Sequence, residues 1–168
     1  MNEAASPESH HLYIGLGSNI DPELNLPRAL DLLRRSLEIL AFSSIWETPA
    51  AGSEGPPYLN LALHARTALD AGAVKQGILR EIEDRLGRVR TADKNSPRTI
   101  DLDILIADGE VLEPKLWERY YEAAPLAELL PDYTNPESGE TLSQAARRLS
   151  RGLSLRRVDP EALSLDLR

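Results

Sequence analysis

Residues 88–109, RVRTADKNSPRTIDLDILIADG, contain the pattern that decides the fold of this chain. Apolar side chains occupy every second position of the later half, namely Ile100, Leu102, Ile104 and Ile106. This alternation is typical of a half-buried β-strand with these four side chains on one face. The other face presents two carboxylates, Asp101 and Asp103, about 6.6 Å apart at a rise of roughly 3.3 Å per residue. Carboxylates at this separation can share a pair of divalent ions.

The earlier half of the same stretch is basic. It contains four cations, Arg88, Arg90, Lys94 and Arg98, against the single acid Asp93, so its local charge is 4 − 1 = +3 in a chain of net charge −8. Such a reversal predicts an anion site, and arginines beside carboxylates that hold Mg²⁺ suit phosphoryl chemistry. Two simpler interpretations stay open, a solvated pair of aspartates and a surface patch of weak salt bridges.

The composition limits the class of protein. The chain has 168 residues, 42% of them hydrophobic, which predicts one domain with its own core. The absence of cysteine excludes disulfides and thiolate chemistry and suits a reducing cytosol. The start, MNEAASPESHH, is polar, and no run approaches the ~20 apolar residues of a membrane span, so we expect a cytoplasmic protein without membrane partners. Its acidic balance argues against nucleic-acid partners.

The rest of the chain predicts a sheet with helices packed on it. Alternating runs predict strands over 12–16, 39–48 and 58–67, and helical spacing of apolar residues predicts helices over 25–40 and 70–86. The Asp108-Gly109 pair predicts a hairpin turn. We expect a flexible tail over residues 1–11, one domain over 12–150 and a C-terminal extension over 151–168.

Five short motifs follow one another as they do in a known family: GSN at 17–19, TP at 48–49, YLN at 58–60, GRVR at 87–90 and PRTIDLDIL at 97–105. With this combination the chain resembles the 6-hydroxymethyl-7,8-dihydropterin pyrophosphokinase family of folate biosynthesis over about residues 12–131. The resemblance implies an α+β fold, a ferredoxin-like sandwich with a mainly antiparallel sheet and helices packed on it. It also implies transfer of pyrophosphate from ATP to the hydroxymethyl group of the pterin, with release of AMP and the help of two Mg²⁺ ions.

The resemblance assigns roles to individual residues around the nucleotide. It implies that Asp101 and Asp103 are catalytic and bind both metal ions. It further implies that three arginines, whose planar forks suit phosphate, are catalytic and bind ATP: Arg88, Arg90 and Arg98. Three more ATP contacts are implied at Glu83, Ile104 and Arg119.

The same resemblance implies a pterin pocket. Its expected members are Thr48, Pro49, Tyr58, Asn60 and Tyr121. A tyrosine ring can stack on the planar heterocycle. The amide of Asn60 carries both donors and an acceptor, and so it can read the edge of the ring.

Two positions depart from the family pattern. Asn95 stands where the family has a tryptophan on its catalytic loop, and Glu113-Pro114 replaces a His-Pro or His-Tyr pair near the nucleotide. These departures motivate two hypotheses: an active enzyme that is slow or weak in ATP binding, and a degenerate family member that binds nucleotide or pterin without catalysis. A nucleotidyltransferase is disfavoured, because Ser18 and Asp101 are 101 − 18 = 83 positions apart.

Overall fold

An antiparallel sheet of seven strands lies at the centre of the computed structural model, which describes residues 8–167. The strands are β1 (His10–Ser18), β2 (Glu38–Phe42), β3 (Ile45–Thr48), β4 (Tyr58–Thr67), β5 (Asp101–Ala107), β6 (Glu110–Val111) and β7 (Arg156–Val158). Their order is β6-β5-β1-β4-β3-β7, and β2 pairs with β4 beside β3. The predicted third strand matches β4 at both ends.

Helices cover both faces of this sheet. They are α1 (Pro22–Ser36), α2 (Ala71–Val74), α3 (Arg80–Arg85), α4 (Tyr120–Leu129) and α5 (Leu142–Leu149). A π-helical turn, Lys75–Leu79, joins α2 to α3. One core cluster joins α1, α2 and α3 to one face of the sheet, and a second cluster joins α4 and α5 to the other. The predicted α+β sandwich with a mainly antiparallel sheet is confirmed.

Helix α1 is shifted from its predicted span of 25–40. It begins at Pro22, directly after Asp21, which has a left-handed backbone with φ of 43°. It ends before Leu37, which is extended but still buried. The apolar periodicity therefore continues through Leu37 although the helix does not, and the residues that follow form β2 instead.

The predicted strand over 39–48 consists of two strands interrupted at Ser43. The Ser43 hydroxyl accepts a hydrogen bond from the backbone N–H of Ala62 at 2.8 Å, and the N–H of Ser43 donates to the carbonyl of Ala62 at 2.8 Å. A side chain thus replaces one acceptor of the sheet ladder, so β2 ends before this point and β3 begins after it.

A β-bulge corrects the predicted face of Ile106. Along β1, Tyr13 pairs with Ile106 while the next residue, Ile14, pairs with Ile104. The extra residue, Leu105, shifts the alternation. Ile106 consequently packs in the second core cluster with Leu105, whereas the other three predicted members of its face remain in the first cluster.

The π turn changes which helical residues face the sheet. Apolar residues four apart, Val74, Ile78 and Ile82, predict the inward face of this helix. Val74 and Ile82 are buried, but Ile78 is only partly buried and Leu79 is the fully buried residue of the π turn. A π turn contains one residue more than an α turn, so the residues after it are rotated about the helix axis relative to a continuous α-helix. This rotation brings Glu83, which is only 4% exposed, to the start of β5.

Both predicted terminal segments contribute to the sheet. Strand β1 begins at His10, so the last two residues of the expected tail over 1–11 are paired with β4, while residues 1–7 lie outside the described residues. At the other end, β7 pairs with β3, and Leu163 and Leu165 are buried in the first core cluster. The segment 151–167 is therefore part of the packed fold. Within residues 8–167 no helix has both the length and the apolar character that crossing a membrane would need.

We predict that Leu163→Ala lowers the free energy of unfolding by about 2–4 kcal/mol, because it leaves a cavity in place of a buried side chain. Denaturant unfolding followed by circular dichroism measures the change. Leu153→Ala is the control, since Leu153 is 37% exposed and a surface truncation changes stability by only about 0.5 kcal/mol. A loss in Leu163→Ala as small as that of the exposed control would show that burial of Leu163 does not stabilise the fold.

Candidate active site

Two adjoining cavities lie at one end of the sheet, where β1 ends and β4 and β5 begin. Gly17 of β1 is the residue between the neighbouring strands, and it pairs with Asn60 on one side and Asp101 on the other. A Cβ atom on Gly17 would lie 2.6 Å from the side-chain oxygen of Asn60. The close approach therefore requires glycine at this position.

All five residues expected to contact a pterin line the first cavity: Thr48, Pro49, Tyr58, Asn60 and Tyr121. Within this pocket the Asn60 amide nitrogen donates to the Thr48 hydroxyl at 2.7 Å, and both side chains are buried. This bond fixes the amide plane of Asn60. The Tyr120 hydroxyl donates to the carbonyl of Pro49 at 2.7 Å and so ties α4 to the loop after β3.

The second cavity, of about 480 Å³, is predominantly basic. Its cationic side chains are Lys75, Arg80, Arg88, Arg90, Lys94, Arg98, Lys115 and Arg119. Five of the six residues expected to contact ATP line this cavity; the exception is Ile104, which is 7% exposed and packs in the first core cluster. The role of Ile104 stays a prediction. A cavity lined in this way suits a polyphosphate.

The GSN motif holds the arginine-bearing segment against β1. The Ser18 hydroxyl donates to the carbonyl of Thr99 at 2.5 Å, and the side-chain oxygen of Asn19 accepts from the N–H of Arg98 at 2.8 Å. The Asn19 amide also donates to the carbonyl of Pro56 at 3.1 Å. The motif is thus a structural clamp between two loops.

Glu83 organises the cations of the second cavity. Its Oε1 atom accepts from the N–H of Leu102 at 3.0 Å and from Arg88 at 2.9 Å, while its Oε2 atom pairs with Arg90. Arg88 also pairs with Asp101, whose second oxygen pairs with Arg98. Glu83 is therefore bonded to the arginines, and the ATP contact that the resemblance implies for it stays a prediction.

Asp103 lies close to several other carboxylates. Burial is the main cause that raises its pKa to about 6, the nearby carboxylates of Asp101, Glu83 and Glu113 raise it further, and Arg88 opposes them. A divalent cation would relieve both the burial and the repulsion, so the pair Asp101 and Asp103 fits Mg²⁺. No cluster of three or more metal-ligating side chains occurs within residues 8–167, and Mg²⁺ commonly takes one or two carboxylates together with substrate phosphates.

The sequence interpretation missed one acid, Glu122. It lies in the first turn of α4, lines both cavities and is 7% exposed. Its Oε1 atom accepts from Arg119 at 3.1 Å, whereas its Oε2 atom is buried and has no hydrogen-bond partner in the described part of the chain. The available signal is that this acid directly precedes the apolar stretch AAPLA, residues 123–127.

The two positions that depart from the family pattern also lie at the site. Asn95 lines both cavities and contacts the loop after β3, where a Cβ atom on Gly52 would lie 3.0 Å from its amide nitrogen. Glu113 lines the second cavity and pairs with Arg119 at 3.4 Å. Each departure therefore places a polar side chain at the wall of a cavity.

Comparisons with known proteins agree with the motifs. The family model described as 7,8-dihydro-6-hydroxymethylpterin-pyrophosphokinase (HPPK) matches residues 13–131. The chain is 34% identical over 82% of its length to a 2-amino-4-hydroxy-6-hydroxymethyldihydropteridine pyrophosphokinase of Synechocystis, and it covers 75% of that protein. It is 38% identical over 70% of its length to the Bacillus subtilis protein of the same name, of which it covers 76%.

The fold is also similar to that of solved structures. Plasmodium falciparum HPPK-DHPS A437G with pteroate matches 86% of the chain at 12% sequence identity, with a TM-score of 0.68. The chain spans 44% of that longer protein. Together, the family model, the two bacterial relatives and the shared fold show that this chain belongs to the HPPK family.

Proposed function

We propose that this chain transfers the pyrophosphoryl group of ATP to the hydroxymethyl group of 6-hydroxymethyl-7,8-dihydropterin, in a Mg²⁺-dependent reaction that releases AMP. The observation that carries the proposal is the position of Asp101 and Asp103, which line both cavities. A pterin in the first cavity and a triphosphate in the second would meet at these two carboxylates. Membership of the family supplies the identity of the substrates and the place of the reaction in folate biosynthesis.

The first cavity provides a suitable pterin site. Tyr58 and Tyr121 offer aromatic faces to a flat heterocycle. The Asn60 amide, held by Thr48, offers a fixed donor and acceptor to the polar edge of the ring. Pro49 completes the wall from the loop after β3. These contacts would select a pterin by shape and by its hydrogen-bonding edge, without any charge on the ligand.

The second cavity provides the phosphate site. Arg88, Arg90, Arg98 and Arg119 would bind the phosphate oxygens and stabilise the charge that develops during transfer. Two Mg²⁺ ions held by Asp101 and Asp103 would supply further neutralisation of the triphosphate. The hydroxyl oxygen of the pterin attacks the β-phosphorus in line with the leaving oxygen of AMP. Positioning by the two cavities supplies much of the rate enhancement, and no covalent intermediate is required.

A degenerate family member that binds without catalysis is the alternative. It is favoured by the polar residues Asn95 and Glu113 at the cavity walls, where they replace residues typical of the family. Incubation of the purified protein with ATP, Mg²⁺ and 6-hydroxymethyl-7,8-dihydropterin tests it directly. We expect stoichiometric AMP and pterin diphosphate. Binding of both substrates without AMP would support the alternative, and ordinary affinity for ATP would contradict the hypothesis of a weak nucleotide site.

The remaining proposals concern the domain organisation, cellular location and partners of the protein. We propose that residues 12–150, together with the C-terminal segment that packs on them, form a single domain. A cytoplasmic location is supported by the lack of cysteine. Small-molecule substrates without nucleic-acid or membrane partners are supported by the net charge of −8, in contrast to which the second cavity gathers eight cationic side chains.

We predict that Asp103→Ala lowers kcat by about 10³-fold, because it removes an electrostatic group from the reacting centre. Asp101→Ala should have a similar effect and also release Arg88 and Arg98. Steady-state AMP production measures both. Asp132→Ala, at an exposed position, is the control. Retained turnover in both variants, with the fold intact by circular dichroism, would refute the metal assignment.

We also predict that Asn60→Ala weakens pterin binding by about 1–3 kcal/mol, the cost of leaving buried polar groups unpaired, while ATP affinity changes little. Calorimetric titration with each ligand separates the two effects. Thr48→Val serves as a matched variant, because it removes only the hydroxyl that accepts from the Asn60 amide, and it should give a smaller loss in the same direction. Equal weakening of both ligands would indicate a structural role for Asn60.

A further inference from the structure

Glu122 is a buried acid whose hydrogen-bonding capacity is only half used. One oxygen accepts from Arg119, and the other is buried without a donor among residues 8–167. Leaving a buried carboxylate oxygen without a donor is costly, so native proteins rarely do it without a reason. A bound ligand that supplies the missing donor would account for this arrangement.

The position of Glu122 indicates which ligand group that is. Three carboxylates line both cavities, namely Asp101, Asp103 and Glu122. Asp101 and Asp103 are the carboxylates assigned to the metal ions, and both oxygens of Asp101 also pair with arginines. Glu122 is left as the acceptor at the junction. Ionised phosphate oxygens bring no donor there, whereas the hydroxymethyl group of the pterin brings an O–H.

We propose that Glu122 accepts a hydrogen bond from the hydroxyl of the pterin hydroxymethyl group and takes its proton as the oxygen attacks the β-phosphorus. This role rests on the proposed function. An electron pair of the hydroxyl oxygen forms the new bond to the β-phosphorus, and the bond from that phosphorus to the bridging oxygen of AMP breaks. AMP leaves with that electron pair, and the proton on the Glu122 carboxyl passes to solvent when the products leave.

The electrostatic surroundings of Glu122 suit a group that gains and loses a proton. Burial raises its pKa to about 8, and the carboxylates of Asp103 on β5 and Glu113 before α4 raise it further, whereas Arg119 lowers it. An acid or base is most effective when its pKa is close to the working pH. A nucleotide that draws Arg119 toward its phosphates would also free the second oxygen of the carboxylate.

Glu122→Gln should therefore raise the melting temperature of the unliganded protein, and the gain should grow from pH 5 to pH 8. In the unfolded chain the carboxyl loses its proton near its ordinary pKa of 4.5, whereas the folded protein retains the proton up to about pH 8. Unfolding of the parent thus becomes easier as the pH rises through this window, and glutamine removes that dependence. Calorimetric scans at several pH values measure it. A difference that stays constant with pH would contradict an uncompensated buried carboxyl and overturn the proposal.

Kinetics of Glu122→Gln test the proton transfer itself. Glutamine keeps the size and one acceptor oxygen but cannot take up the proton, so kcat should fall by about 10²–10⁴-fold while KM for the pterin stays within about threefold of the parent, a span of ~0.7 kcal/mol in binding. The parent is assayed first for AMP formation. Failure of the parent would reject the proposed function, whereas an active parent with an equally active Glu122→Gln variant would reject only the role of Glu122.

Glu113→Gln is the matched control. Glu113 also pairs with Arg119 but lines only the second cavity. If Glu122 merely positions Arg119, or accepts from a ribose hydroxyl of the nucleotide, its replacement should raise KM for ATP without a separate loss of kcat, as in Glu113→Gln. That pattern would overturn the proposal. A large loss of kcat in Glu122→Gln alone supports it.

Binding of two ligands that differ by one oxygen gives a readout that does not need turnover. Calorimetry compares 6-hydroxymethylpterin with 6-methylpterin on the parent, Glu122→Gln and Glu122→Ala. Above pH 8, where the Glu122 carboxyl is ionised, the parent should prefer the hydroxymethyl compound by about tenfold, as expected for one hydrogen bond to a charged group. Glutamine should keep most of this preference and alanine should lose it. An unchanged preference in Glu122→Ala would mean that the hydroxyl does not contact Glu122.

Discussion

One buried carboxylate, that of Glu83, supports the arrangement of charges on which the site depends. It bonds at the same time to the backbone of β5, to Arg88 and to Arg90. Arg88 is largely buried, and its charge would be costly without this partner and Asp101. The π turn that precedes α3 rotates Glu83 to this position. Fold and site are thus coupled at a single side chain, because the helix that supplies the acid also packs the core beneath β5.

The elements that could be predicted are those whose signal is local. Alternation in β4 and the Asp108-Gly109 turn, with φ of 48° and 83°, depend on neighbouring residues. The bulge at Leu105 could not be predicted, because it arises from the register that β5 takes with β1. The end of α1 was missed for a related reason: Leu37 stays buried by tertiary packing after its helix has ended.

The candidate site likewise contains residues that could be predicted from local motifs and residues that could not. Residues that stand within contiguous motifs, such as Asn60 and Asp103, were predicted, and the structure brings them to adjoining cavities. Glu122 was missed because a glutamate in a helix is normally exposed, and its own segment does not show that Asp103 of a distant strand is near enough to raise its pKa. Glu83 was recognised as a member of the site, but its bond to the N–H of Leu102 depends on a distant strand. Spatial neighbours decide the chemistry of an acid more than its sequence neighbours do.

Strand β7 affects whether copies of this protein can associate through the edges of their sheets. It covers the outer edge of β3, with Arg156 paired to Glu47 at 3.0 Å and Arg157 placed 4.8 Å from the ring centre of Trp46. At the opposite margin, β6 is only two residues long. Short margins that carry charge offer a poor template for adding strands from a neighbouring molecule. A concentrated solution of this protein should therefore resist the formation of intermolecular sheets. Truncation before β7 would expose the edge of β3, next to the pterin pocket, to such pairing.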